Sequence, residues 1–172
     1  CYSPRMVLRK NKAHCMEGAM FAALALRLQG HKPLVMDLKS IEYYNDHIVV
    51  PFRQYGCWGA ISKTNHAVLR YREPIYKTIR ELALSYFHEY FTDDGNKTMR
   101  SYSLPIDLSR FDKRGWMTSE KPVFYIPQYI DKVKHYPVLP KGAARTLRKA
   151  DQVERAAGKI TDWQKSGKRR FK

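Results

Sequence analysis

Cysteine is scarce in this chain: three in 172 residues, at positions 1, 15 and 57, with no CxxC pair and no histidine at zinc-ligand spacing. That pattern excludes a disulfide framework and a metal site built on Cys and His, and widely spaced single thiols point to a cytoplasmic setting. Long apolar runs are missing as well. The most apolar stretch, Met16–Leu28, is too short to span a membrane and lacks the cationic flank and cleavage site of an export signal. No internal repeat, low-complexity block or Ca²⁺-binding loop is present, and no cofactor is implied. Acids are outnumbered, 16 against 32 Lys and Arg, for a net charge of +16. Residues 134–172 hold 12 of those basic residues against three acids, so nine of the sixteen charges belong to one end. Such an end attracts nucleic acid, anionic membrane or acidic protein.

With 44% hydrophobic and 13% aromatic residues the chain is globular and long enough for one sizeable core. His14-Cys15-Met16-Glu17-Gly18 opens its most apolar stretch. From Met16 to Leu28 the strongly polar residues are Glu17 and Arg27, and Gly30 is a natural stop. An apolar face all round predicts a buried central helix. With Asn11 as the cap, Cys15 falls in the first turn, where free N–H groups and the positive dipole end favour negative charge on sulfur. The bland alternative is a small core residue. Glu17 suits the same dipole.

Upstream, Cys1–Lys12 reads as a basic surface lead-in and as the end of a segment that begins earlier. Downstream, Pro33–Leu38, His47–Phe52 and Cys57–Thr64 are strand-like, the last two forming a hairpin around Arg53–Gly56. Pro51 predicts an edge or a bulge. A helix is expected over Glu73–Phe91 from the stripe Ile75, Ile79, Leu82 and Tyr86, and a further strand within Met99–Leu108. A helix near Val123–Lys134 and a basic one over Gly142–Gly158 follow, with a disordered end from Ser166. The order gives an α+β fold: a central helix packed against a small antiparallel β-sheet, with peripheral C-terminal helices. We divide it into a domain over 1–139 and a basic helical extension over 140–172.

A helix-leading cysteine needs a base. His47, which opens a strand, is the best candidate. His14 is next to Cys15 but diverges from it on a helix; His31, His66, His88 and His135 sit in loops or peripheral helices. Asp46 is a poor orienter, because its side chain and that of His47 leave a strand on opposite faces. A four-residue hairpin loop would pair Phe52 with Cys57 and set His47 opposite Ser62, while a loop shorter by one would bring Lys63 opposite instead. Tyr44, in the loop before His47, Asn65, at the strand end, and Trp58 are candidate binding residues, Trp58 having core packing as its other reading.

Over about Lys12–Asn65 this order resembles the transglutaminase-like branch of the papain-type cysteine enzymes. There a Cys opens the central helix (Cys15 here), a His opens a following strand (His47), and the next strand carries W-x-x-x-D. Here Trp58-Gly59-Ala60-Ile61 leads to Ser62 in place of the Asp. The resemblance implies a transglutaminase-like, papain-like core in which Cys15, His47 and Ser62 form the triad, Ser62 being a neutral orienter like the Asn of related sites.

The expected function is therefore acyl transfer on amide or peptide carbonyls, as a protease, deamidase or transglutaminase, acting on a protein or peptide. The alternative is an inactive transglutaminase-like binding module, with Lys141–Lys172 contacting nucleic acid through Arg145, Arg148, Lys149 and Arg155. Trp163 and Phe171 are the stacking residues there, and no nucleic-acid-binding motif is present. The sequence carries no sign of oligomeric state.

Overall fold

A computed structural model describes residues 1–41 and 46–161. Tyr43, Tyr44, Trp163, Phe171 and the expected disordered end lie outside the described residues.

Cys1–Lys12 is not a bare lead-in. Ser3 caps a short helix, α1 (Pro4–Lys10), its Oγ accepting from the N–H of Met6, with Pro4 at the first helical position. Asn11, expected to cap the next helix, ends α1 instead in a left-handed conformation. The central helix, α2 (Cys15–Leu28), is capped by His14. The Glu17 carboxylate is buried and accepts from the backbone N–H groups of His14 and Tyr2, at 2.7 and 2.8 Å. It thus satisfies free donors at the helix start and ties α1 to α2. Gly30 closes α2 as expected, its N–H donating to Arg27 O at 3.0 Å.

Among the described residues seven strands form one antiparallel sheet: β1 (Leu34–Lys39), β2 (His47–Gln54), β3 (Cys57–Ser62), β4 (Arg72–Tyr76), β5 (Ser101–Ser103), β6 (Ile106–Asp107) and β7 (His135–Pro137). Their order is β4-β3-β2-β1-β5-β7, with β6 also on β1. The sheet is larger than the sequence outlines because the stretches it recruits are short. Both faces are covered, which is why Ile48-Val49-Val50 is apolar without alternation. Val35, Ile48 and Val50 meet Ala19, Met20, Ala23 and Leu26 of α2, with Trp116, Ile126 and Ile130 beneath them. Met36, Leu38, Val49 and Ala60 meet Leu82, Tyr86, Tyr90 and Met99 on the other side. Pro51 lies in an inner strand, but the β1–β2 ladder ends at Val49. At Pro51 only β3 pairs, so a missing N–H is tolerated.

Three further expectations fail. The hairpin turns on two residues, Tyr55-Gly56, both at positive φ, with Gln54 opposite Cys57 and Val49 opposite Ser62. Residues 73–91 are not one helix: β4 takes the first part and α3 (Ile79–Leu84) starts at Thr78. There Thr78 Oγ1 accepts from Glu81 N and the Glu81 carboxylate accepts from Thr78 N, a capping box. Ile75, from the expected buried stripe, is 68% exposed. The basic helix shrinks to a 3₁₀ turn (Ala143–Thr146) and α5 (Gln152–Lys159), because Asp151 is a stronger start signal than Gly142. Earlier in the chain lie a 3₁₀ segment over Leu108–Arg114 and α4 (Tyr125–Ile130). Among the described residues no helix is long and apolar enough to cross a membrane.

Candidate functional site

Cys15 is the first residue of α2 and His47 the first of β2, and both line one cleft of about 510 Å³. By strand alternation His47 shares the face of Val49, opposite the face α2 covers. The thiol, on the α2 side, and the imidazole therefore enter the cleft from opposite faces of the sheet at the start of β2. The Cys15 sulfur lies 4.0 Å from the carbonyl oxygen of Asp46, the residue that leads into His47. The Asp46 carboxylate turns the other way, onto Lys39 Nζ at 2.8 Å and Ser40 N at 2.9 Å. It pins the start of β2 without touching the imidazole.

Ser62 meets His47 by a different route from the one expected. Ser62 pairs with Val49, and its hydroxyl reaches diagonally to His47 Nε2 at 2.7 Å. Ser62 also donates to the carbonyl of Leu69. A serine hydroxyl has one proton. Because Leu69 O can only accept, that proton is spent there, and Ser62 Oγ must accept from Nε2–H. The neutral imidazole then carries its lone pair on Nδ1, which no described residue hydrogen-bonds. Leu69 is itself held: it adopts φ +59°, and its N–H donates to Glu89 Oε2 at 2.7 Å, while Glu89 pairs with Arg72 at 2.8 Å. A chain of bonds from Arg72 through Glu89 and Leu69 to Ser62 thus sets the tautomer of His47.

Lys63 approaches from the α2 side. A Cβ added at Gly18 would sit 2.6 Å from Lys63 Cγ, so only glycine lets the lysine stem lie on the first turns of α2. Lys63 Nζ donates to Asn65 Oδ1 at 2.5 Å, and both residues line the cleft. Trp58 does not. Its ring packs on the second core with Arg53 above it at 5.9 Å, so its role is structural. Of the other histidines, His14 and His66 line the cleft, and His66 Nδ1 is bonded to Gly158 O at 2.9 Å.

Sequence reasoning missed the opposite wall. Tyr90, Phe91 and, from α5, Arg155 and Gly158 complete the cleft. The basic C-terminal stretch folds back across it, with Ala67 N donating to Ile160 O at 3.0 Å. Nothing in its composition marks that contact. Tyr90 is buried, which pushes its phenol up, and its hydroxyl donates to Leu38 O at 3.1 Å.

Asp37, Asp46 and Asp131 gather to within 4.8 Å behind the cleft, the one such acidic group among the described residues. Lys39 Nζ stands among them, 2.8 Å from Asp46, 3.0 Å from Asp131 and 3.8 Å from Asp37, so an internal ammonium occupies the place a cation would take. Burial, then the charge of Asp46, raises Asp37 to about 6.

Burial, assisted by the charge of Lys63, pushes His47 down to about 4. In the unfolded chain a histidine protonates near 6.5. Between pH 6.5 and 4 the unfolded state therefore binds more protons at this residue, and its contribution to stability, of order 3 kcal/mol, is lost as pH falls through that window. Asp37 acts in the opposite sense between pH 6 and 4. The comparison that isolates His47 is therefore wild type against His47→Gln. Urea unfolding at pH 7 and pH 4.5 should show the wild type losing more stability than the variant. Equal losses would contradict the buried neutral imidazole.

Compared with known proteins, the chain matches no protein-family model and no curated protein.

Proposed function

We propose that this chain is a cysteine-nucleophile acyl-transfer enzyme with a transglutaminase-like, papain-type core over 1–139, cytoplasmic, acting on amide carbonyls of a protein or peptide. The supporting observation is the Ser62 hydroxyl, which accepts from Nε2–H of His47 and leaves Nδ1 as a base in the cleft that Cys15 lines. A neutral His47 at pH 7 means the pair rests as thiol and imidazole. The thiol turns from the Asp46 carbonyl to Nδ1, gives up its proton there, and the sulfur adds to the substrate carbonyl. The free N–H groups at the start of α2 face the developing oxyanion. His47 Nδ1–H then protonates the departing amine, leaving a thioester on Cys15. His47 next takes a proton from water or an acceptor amine as that group attacks, and Cys15 leaves with its proton restored. Water gives hydrolysis; a lysine amine gives a crosslink.

Ser62 cannot balance an imidazolium by charge, so the proton passes through His47 without resting there. Asn65, with its Oδ1 on Lys63, has its amide N–H₂ to offer a substrate carbonyl from the cleft wall. The three cysteines are unpaired, so Cys57 is an internal reference for Cys15. Iodoacetamide at pH 6, read by mass spectrometry of the two peptides, should alkylate Cys15 at least about tenfold faster than Cys57. Equal rates would leave the same fold as an inactive binding module and remove the enzyme.

A further inference from the structure

We infer that the face built from Leu108–Arg114 and α4 binds single-stranded nucleic acid, with Arg110 and Arg114, each laid on a tyrosine ring, as its two contact points. The inference is independent of the reading of Cys15, because none of these residues lines the cleft.

Five side chains cross that face in one row. The guanidinium carbon of Arg114 sits 3.5 Å from the centre of the Tyr125 ring, and that of Arg110 sits 4.2 Å from the centre of Tyr129. Phe111 links the two tyrosines, its ring 5.6 Å from Tyr125 and 5.5 Å from Tyr129. Phe111 is buried in the core beneath α2, and both tyrosines pack against that core. The Tyr125 hydroxyl also donates to Arg114 O at 3.4 Å, which ties α4 to the end of the 3₁₀ segment. The row therefore stands on a fixed floor, and a site ordered before binding loses little when the ligand arrives.

Both arginines are exposed, and neither guanidinium makes a hydrogen bond or an ion pair among the described residues. Attraction to the ring holds each guanidinium over it. The ring covers one face and leaves the other face and the N–H edge to solvent. That edge takes a phosphate through paired N–H bonds, and the outer face takes a base by stacking. A single strand offers phosphates and unstacked bases together. A lipid headgroup or an acidic peptide would use the edge alone.

The surrounding charge favours the same partner. Residues 107–132 hold five cations, Arg110, Lys113, Arg114, Lys121 and Lys132, and four acids. Three of the acids are paired with cations of other elements. Asp112 is bound to Arg27 at 2.6 Å, Glu120 to Arg9 at 2.8 Å, with Arg5 at 3.7 Å, and Asp131 to Lys39 at 3.0 Å. The fourth, Asp107, accepts from Ser109 N at 2.9 Å, and its charge acts on Arg27. All five cations are exposed, and none of their side chains has an ion pair or a hydrogen bond among the described residues. The surplus on this face is therefore positive, and the net charge of the chain adds long-range attraction for a polyanion.

Fluorescence anisotropy on the full chain tests this with two labelled strands of about twelve nucleotides. One is oligothymidylate; the other is an abasic strand of the same charge. At low ionic strength oligothymidylate should bind about tenfold tighter than the abasic strand. Arg110→Ala with Arg114→Ala should weaken oligothymidylate at least about tenfold and flatten the log–log salt slope by about 1.4, for two phosphates at about 0.7 each. Arg110→Lys with Arg114→Lys should keep the slope and lose the preference for bases. Arg110→Gln with Arg114→Gln, which keeps part of each stem on its ring, replaces the alanine pair if that melts early. No binding by the wild type, or equal affinity for the two strands, overturns the proposal. So does binding that survives the Arg110 and Arg114 changes and is lost in Lys141→Ala with Arg145→Ala, which would move the site to the basic C-terminal stretch. Capture by phosphatidylcholine–phosphatidylserine vesicles with no binding of either strand would make the face a lipid-binding one and overturn it equally.

Discussion

Replacing His47 by alanine is expected to slow iodoacetamide alkylation of Cys15 at pH 7 by about a hundredfold, with Cys57 unchanged. The base is lost outright. Ser62→Ala should be milder, about tenfold, for a different reason. It strands two partners, the Nε2–H of buried His47 and the carbonyl of half-buried Leu69, and frees the ring to adopt the other tautomer. Ser62→Thr keeps a hydroxyl and should recover most of the rate. Ser62→Asp, which would complete the W-x-x-x-D pattern, should not. A carboxylate has no proton for Leu69 O and would face that carbonyl across a hydrogen-bond distance. A His47→Ala protein that still alkylates at the wild-type rate would show a thiol acting without the imidazole, and the enzymatic reading would go with it.

The second large effect lies far from the cleft. Trp116 is fully buried under α2, and its Nε1 donates to Asp112 Oδ1 at 3.0 Å. Asp112 also holds Arg27, at the far end of α2, through two bonds of 2.6 and 2.8 Å. Trp116→Ala should cost about 3–5 kcal/mol in urea unfolding, through lost burial and the cavity left behind. The ratio of Cys15 to Cys57 alkylation in the folded fraction should not move. A variant that loses stability and keeps that ratio, set against His47→Ala, separates holding α2 in place from using its first residue.

The central helix and the two residues that bracket His47 were readable because each is a local signal. The apolar run to Gly30 fixes α2; Cys15 and His47 line one cleft, and Ser62 bonds His47 Nε2 from outside that lining. Register was not readable. A two-residue turn with Tyr55 at positive φ carries half the usual sign, since only Gly56 is a residue that turns of this kind favour. The contact between His47 and Ser62 was therefore expected from direct pairing and arises from a diagonal one. Residues 73–91 misled for another reason. Their 3.6-residue stripe is real from Ile79 onward, but pairing with β3 draws Arg72–Tyr76 into the sheet, and tertiary contact overrides periodicity. The capping box at Thr78 and Glu81 and the Ser3-Pro4 start of α1 were local signals left unread. Arg155 had no such signal, because its place depends on contacts with residues 66, 67 and 95.

The cleft draws its thiol from residue 15 and its opposite wall from residues 155–158. A growing chain exposes the first long before the second exists. For most of synthesis the cleft is therefore open on that side, and it closes only once the strap that joins Ile160 to Ala67 has been made.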